Sequence, residues 1–207
     1  MKLDKFISAS SKLFLGIFNP LIVISIAIAA FFSSEHFFAT NNLPLKNYLI
    51  FLYFILSFLL PNILYYTIKW SLPFFRLKIS TPKLRNIFCI VTILTTIFVL
   101  IMSIKIHLIP LLIEFILSIL LIFIFYFIIT FFKEISLHIL TFSSLLSFFV
   151  YMIFFQDINM ITLFLISILL IGIISSLQLF LDIHSPKQIF ISFIIGFLST
   201  FLILFII

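Results

Sequence analysis

The chain has 207 residues, 65% of them hydrophobic and 9% charged, with a net charge of +6 and a mean hydropathy of +1.46. A soluble domain of this size has too little interior to hide that apolar surface, whereas a bilayer accepts it, so the composition calls for an all-α, multi-pass transmembrane bundle and excludes a separate soluble domain. The basic residues lie beside apolar segments, where membrane topology accounts for them, so no nucleic-acid partner is expected.

The spans follow in order. Met1–Lys12 is short and basic. Leu13–Phe32 is the first span, broken by Asn19-Pro20. Ala27-Ile-Ala29 resembles a signal-peptide cleavage site, but the long apolar run with its proline favours a retained span. Ser33–Lys46 is a polar loop. Asn47–Trp70 is the second span, interrupted by Pro61-Asn62, with Tyr65, Tyr66 and Trp70 suited to its interfacial end. Ser71–Asn86 is the most basic loop, and Ile87–Ile104 the third span. Leu111–Phe155 as one helix would reach roughly 65 Å, about twice the hydrocarbon thickness, so the chain turns near Lys133-Glu134. That gives Leu111–Phe132 and Ile135–Phe155 as the fourth and fifth spans. Met160–Leu181 is the sixth and Ile189–Ile207 the seventh. The whole is one membrane domain, 1–207, with 13–72 as an N-terminal helix pair and 78–207 as the core.

Seven spans divide the cations ten to two. Lys2, Lys5, Lys12, Lys69, Arg76, Lys78, Lys83, Arg85, Lys133 and Lys187 share one side, and Lys46 and Lys105 the other. The positive-inside rule makes the richer side cytoplasmic, with the N-terminus, in a bacterial inner membrane. Small residues four apart, at Gly172-xxx-Ser176 and Ser192-xxx-Gly196-xxx-Thr200, are expected to let helices approach closely. The single Cys89 lies in an apolar run and forms no internal disulfide.

Chemistry concentrates at two of the four histidines. Asp182-Ile-His-Ser-Pro-Lys-Gln188 lies between the last two spans, and Ser136-Leu-His138 opens the fifth, 46 residues before His184. Span parity places both on one side with Lys78 and Arg85, and His36 and His107 on the other. Each residue also has a plain reading. His184 and His138 serve as polar residues at helix starts, with Pro186 an early-turn proline. Lys78 and Arg85 serve as topological charges. Glu114 lies near enough to the interface to reach water, and Asp157 and Asp182 read as loop residues. No metal-ligand cluster or nucleotide-binding glycine loop appears, and no cofactor is expected.

These stretches resemble the type 2 phosphatidic acid phosphatase superfamily, which includes the vanadium haloperoxidases. Its motifs are Lys-x6-Arg-Pro, Pro-Ser-Gly-His and Ser-Arg-x5-His-x3-Asp. Lys78-Ile-Ser-Thr-Pro-Lys-Leu-Arg85 matches the first in spacing, with Asn86 for proline. Ser136-Leu-His138 keeps serine and histidine of the second, with Leu137 for glycine and Ile135 for proline. In the third, His184 stands at the nucleophile, Gln178 at the arginine, Leu177 at the serine and Gln188 at the aspartate. His184-Ser-Pro-Lys-Gln188 is similar to a His-Thr-Pro-x-Gln variant in some membrane members.

The resemblance implies a lipid phosphate or pyrophosphate phosphatase. His184 would attack phosphorus, His138 would protonate the leaving alkoxide, Lys78 and Arg85 would hold phosphate, and Ser136 would add a hydrogen bond. Lys187 or Lys133 would supply the cation missing at Gln178. Glutamine at 188 accepts a hydrogen bond but brings no charge; the comparable Asp-to-Asn change in a serine protease costs roughly four orders of magnitude. A non-catalytic protein that binds a lipid headgroup, or serves as a subunit of a complex or transporter, is the alternative. The expected partner is a membrane lipid or lipid phosphate.

Overall fold

The computed structural model describes residues 11, 15, 18–33, 43–74, 81–107, 109–130 and 134–206, with side chains except at 33, 43–46, 71–74, 81–83 and 85. Among these residues the secondary structure is entirely helical. The helices are α1 (Ile22–Ser33), α2 (Leu43–Phe54), α3 (Leu60–Phe74), α4 (Thr81–Lys105), α5 (Pro110–Ile129), α6 (Leu137–Phe155), α7 (Ile161–Phe180) and α8 (Pro186–Ile206). Six helical stretches are long and apolar enough to cross a membrane, and Ile22–Phe32 is a shorter apolar helix. The protein is therefore an integral, multi-pass helical bundle.

The first expected span differs most from expectation. Asn19-Pro20 breaks it, and α1 begins only after that break. Its 12 residues rise about 18 Å, short of the hydrocarbon core. Instead of facing lipid it is buried, with Val23, Ile24, Ala27, Ile28 and Phe31 at 1% exposure or less. The second span, Asn47–Trp70, has the expected limits but contains a π-helical turn, Ile55–Leu59, between α2 and α3. Leu60 N–H donates to the Ile55 carbonyl five residues back. The widened turn precedes Pro61, whose ring crowds the carbonyl four residues before it and whose nitrogen donates nothing.

Polar side chains close the gaps. Asn62 Nδ2 donates to the Phe58 carbonyl at 2.7 Å, and Asn19 Nδ2 donates to Asn62 Oδ1 at 3.0 Å. The two sequence breaks are therefore each other's partners. Below them, Ser25 and Ser57 hydroxyls meet at 2.7 Å, and Tyr53 meets Ser103 of α4 at 2.7 Å. These bonds hold α1 antiparallel to the α2–α3 span and fasten that pair to the core.

Helix α6 is the axis of the bundle. Some 72% of its membrane-spanning stretch is buried inside the protein, against 17% for α7. It packs against α8, α7, α5 and α1. Its contact with α8 depends on small residues: Ser192 and Thr200 are fully buried, and a Cβ at Gly196 would run into the Leu140 carbonyl and the Ser143 hydroxyl. The other expected stripe is corrected. Gly172 has nothing near its missing Cβ, and Gly172 and Ser176 both lie on an exposed face of α7. The stripe packs against no described helix, because helical spacing gives periodicity but not direction.

Gly196→Ala should therefore lower stability by about 1–3 kcal/mol, as overpacking does. Gly172→Ala should leave it unchanged or raise it by up to about 1 kcal/mol. Thermal unfolding of the two variants in detergent checks the contrast; equal shifts would contradict the assigned faces.

Candidate functional site

The site begins at a buried polar knot. Ser136 is the N-cap of α6, accepting from Ile139 N–H at 3.3 Å. Its hydroxyl donates to Gln178 Oε1 near the end of α7 at 2.7 Å. Its own N–H donates to Ser192 Oγ of α8 at 2.8 Å, and Ser192 donates onward to the Gln188 carbonyl at 2.7 Å. Ser136, Gln178 and Ser192 are all buried. A buried helix start must satisfy its free N–H groups, and here three helices do so for one another.

The link from α7 to α8 is equally determined. Asp182 has φ 51°, its N–H donates to the Leu179 carbonyl, and Ile183 N–H donates to the Gln178 carbonyl. That is a Schellman motif, with aspartate where glycine is commoner. Three residues on, Ser185 N–H donates to Gln188 Oε1 at 2.7 Å and Gln188 N–H to Ser185 Oγ at 3.4 Å. This reciprocal pair is a capping box, with Pro186 at the first helical position. His184 is the single residue between the two motifs, so its backbone is held from both sides. His138, the second residue of α6, has Nε2 3.2 Å from the Leu15 carbonyl.

Both histidines line one cavity of about 690 Å³, together with Gln178, Asn19, Lys69, Tyr65, Tyr66 and Tyr126. The cavity lies at the bundle end formed by the C-termini of α3, α5 and α7 and the N-termini of α4 and α6. Apolar walls come from residues such as Leu15, Phe88 and Leu137. Lys69 Nζ stands 6.0 Å from the centre of the Tyr66 ring. The set offers two imidazoles, amide donors and one ammonium at a membrane boundary, which is the chemistry of anion binding and proton transfer.

The other expected site residues divide. Lys78 lies outside the described residues, as do Lys133 and the side chain of Arg85, although Arg85 is within α4. Ser136, expected as an additional phosphate donor, directs its hydroxyl proton to Gln178 within the knot in this structure. Gln188 accepts from Ser185 N–H, so its side chain caps α8. Lys187 and Gln188 line a different cavity of about 460 Å³, with Glu134 and Ser185. At the opposite end of the bundle stand His107 and Glu114, and His36 lies outside the described residues. Among the described residues no group of three or more His, Cys, Asp or Glu is placed to hold a metal ion.

Lys69, Asn19 and the tyrosines of the cavity were not expected there. Tyr65 and Tyr66 read as interfacial anchors, Asn19 as part of a break and Lys69 as a topological charge. Only the meeting of the N-terminal pair with the core brings them to the histidines. No family model, curated protein or solved structure matches this chain.

The capping role of Gln188 separates from a catalytic one by substitution. Gln188→Ala should cost about 1 kcal/mol of stability, as cap loss does. Gln188→Glu should restore it, since glutamate serves the same box. Thermal unfolding decides; equal losses in both variants would contradict the cap.

Proposed function

We propose that the cavity receives the phosphorylated headgroup of a membrane lipid and that its two histidines hydrolyse the phosphomonoester. The observation that supports this is the convergence of His138, His184 and Lys69 on one cavity at the basic end of the bundle. The acyl chains stay in the bilayer while the phosphate enters between the imidazoles. The neutral imidazole of His184 attacks phosphorus, forming an N–P bond as the P–O bond to the lipid breaks. The leaving alkoxide takes a proton from His138. Water then cleaves the phosphohistidine, giving inorganic phosphate and the free lipid alcohol. The charge rule favours a cytoplasmic site in a bacterial inner membrane: with the six long spans alone, Lys69, Arg76, Lys78, Lys83, Arg85, Lys133 and Lys187 share this end, against Lys46 and Lys105 at the other.

A second reading keeps the binding and drops the turnover. What favours it is that the glutamine in the family's aspartate position is committed to Ser185, while a ring nitrogen of His138 is held by the Leu15 carbonyl. Both features reduce the support that an imidazolium and a general acid need during phosphoryl transfer.

Phosphate release from phosphatidic acid by the purified protein separates the two. Hydrolysis predicts release by the native chain, its loss in His184→Ala, and a larger effect of His138→Ala on poor leaving groups than on activated esters. Undiminished release by His184→Ala would overturn the mechanism. Binding of phosphatidic acid with no release, weakened in His184→Ala, selects the binding reading.

A further inference from the structure

The resembled family places an arginine six residues before its nucleophile to hold phosphate; this chain has Gln178 there. The Gln178 carbonyl oxygen accepts from the Ser136 hydroxyl at 2.7 Å, and the residue lines the cavity. An amide donates hydrogen bonds but brings no charge. A phosphomonoester carries about −1.5 to −2 charges near neutral pH, and burying such charge without a countercharge is strongly unfavourable. The cavity therefore needs a cation, and position 178 does not provide one.

Among the described residues that line the cavity, Lys69 is the cation. It stands seven residues, about two helical turns, beyond Asn62 on α3. The direction of that helix is built, not incidental. The π-helical turn precedes it, Pro61 lies in its first turn, Asn62 bonds Asn19, and Ser57 bonds Ser25. Lys105, a lysine at the opposite end of the bundle, is the plain topological counterpart.

We propose that Lys69 supplies the phosphate-binding charge of the cavity, in place of the charge missing at position 178. This rests on the lipid-phosphate reading above. Its consequence is that the site belongs to both parts of the chain. The core brings the histidines and an uncharged donor; the N-terminal helix pair brings the cation and closes the cavity with Asn19, Tyr65 and Tyr66.

The test uses the full chain in detergent micelles. Short-chain phosphatidic acid is the lipid probe, glycerol 3-phosphate and inorganic phosphate are the soluble ones, and phosphatidylcholine is the control. Lys69→Met should weaken phosphatidic acid binding, or raise KM with a smaller change in kcat, by about 10- to 100-fold, the value of one charge-assisted hydrogen bond. Lys69→Arg should restore it. Adding Gln178→Arg to Lys69→Met should recover most of the loss, because the charge returns at the family's position. Lys105→Met should change nothing.

Native-like binding by Lys69→Met, when the native chain binds, would overturn the proposal while sparing the broader reading. A Lys69→Arg variant as weak as Lys69→Met would also overturn it, since a charge role requires rescue. A native chain that neither binds nor hydrolyses any phosphate probe would overturn both. If glycerol 3-phosphate binds as tightly as phosphatidic acid with the same dependence on Lys69, the cation role stands and the ligand is soluble. Should the doubly substituted chain fail to fold, the pair Lys69→Met and Lys69→Arg decides alone.

Discussion

The buried knot of Ser136, Gln178 and Ser192 is the constraint on which the candidate site depends. Lipid offers no hydrogen bonds, so the polar groups at the start of an enclosed helix must find partners in the protein. Ser136 does this with one residue from α7 and one from α8. In doing so it sets the start of α6 against the end of α7 and the beginning of α8. His138 follows Ser136 by two residues, and His184 sits between the caps of α7 and α8. The relative placement of the imidazoles is thus a consequence of how three helix ends satisfy one another. Gly196 complements the knot farther along, where its missing side chain admits the Leu140 carbonyl and the Ser143 hydroxyl.

A second polar system joins the N-terminal pair to this core. Proline breaks in membrane helices leave carbonyls that other groups must satisfy. Here the asparagines beside the two prolines bond one another, and serine and tyrosine hydroxyls continue the connection into α4. The result is a buried short helix held against a long one that carries a π-helical turn. The long helix brings an ammonium and phenolic groups into the cavity lined by the histidines. Headgroup recognition at a membrane boundary requires this combination: polar donors at the depth of the phosphate and apolar surface beneath it.

Much of the fold was legible because span length is a direct reading of apolar run length. Asn47–Trp70 has the expected limits, and α6, α7 and α8 differ by a few residues. The Leu13–Phe32 span was less so, since Asn19-Pro20 divides it and composition does not reveal that a short apolar helix is enclosed by protein. Gly172 and Ser176 show a related limit: their spacing marks one helix face, but which way that face points depends on neighbours. The capping box was present in the sequence as Ser185-Pro-Lys-Gln188, and its local physics accounts for the Gln188 side chain's bond to Ser185. Residues 138, 178 and 184 could be grouped by motif order. Lys69 and Asn19 could not, because no sequence spacing relates them to the histidines; tertiary contact alone does.

The most direct measurement is nuclear magnetic resonance of the protein carrying ¹⁵N-labelled histidine, in bilayers, with each of the four imidazoles assigned by single substitution. A non-hydrolysable phosphonate analogue of phosphatidic acid would be titrated in, with phosphatidylcholine as background. Occupation of one shared cavity requires the His138 and His184 signals to shift together, along one saturation curve, while those of His36 and His107 stay in place. Movement of only one of the pair, or of neither while the analogue binds, would contradict a common phosphate site.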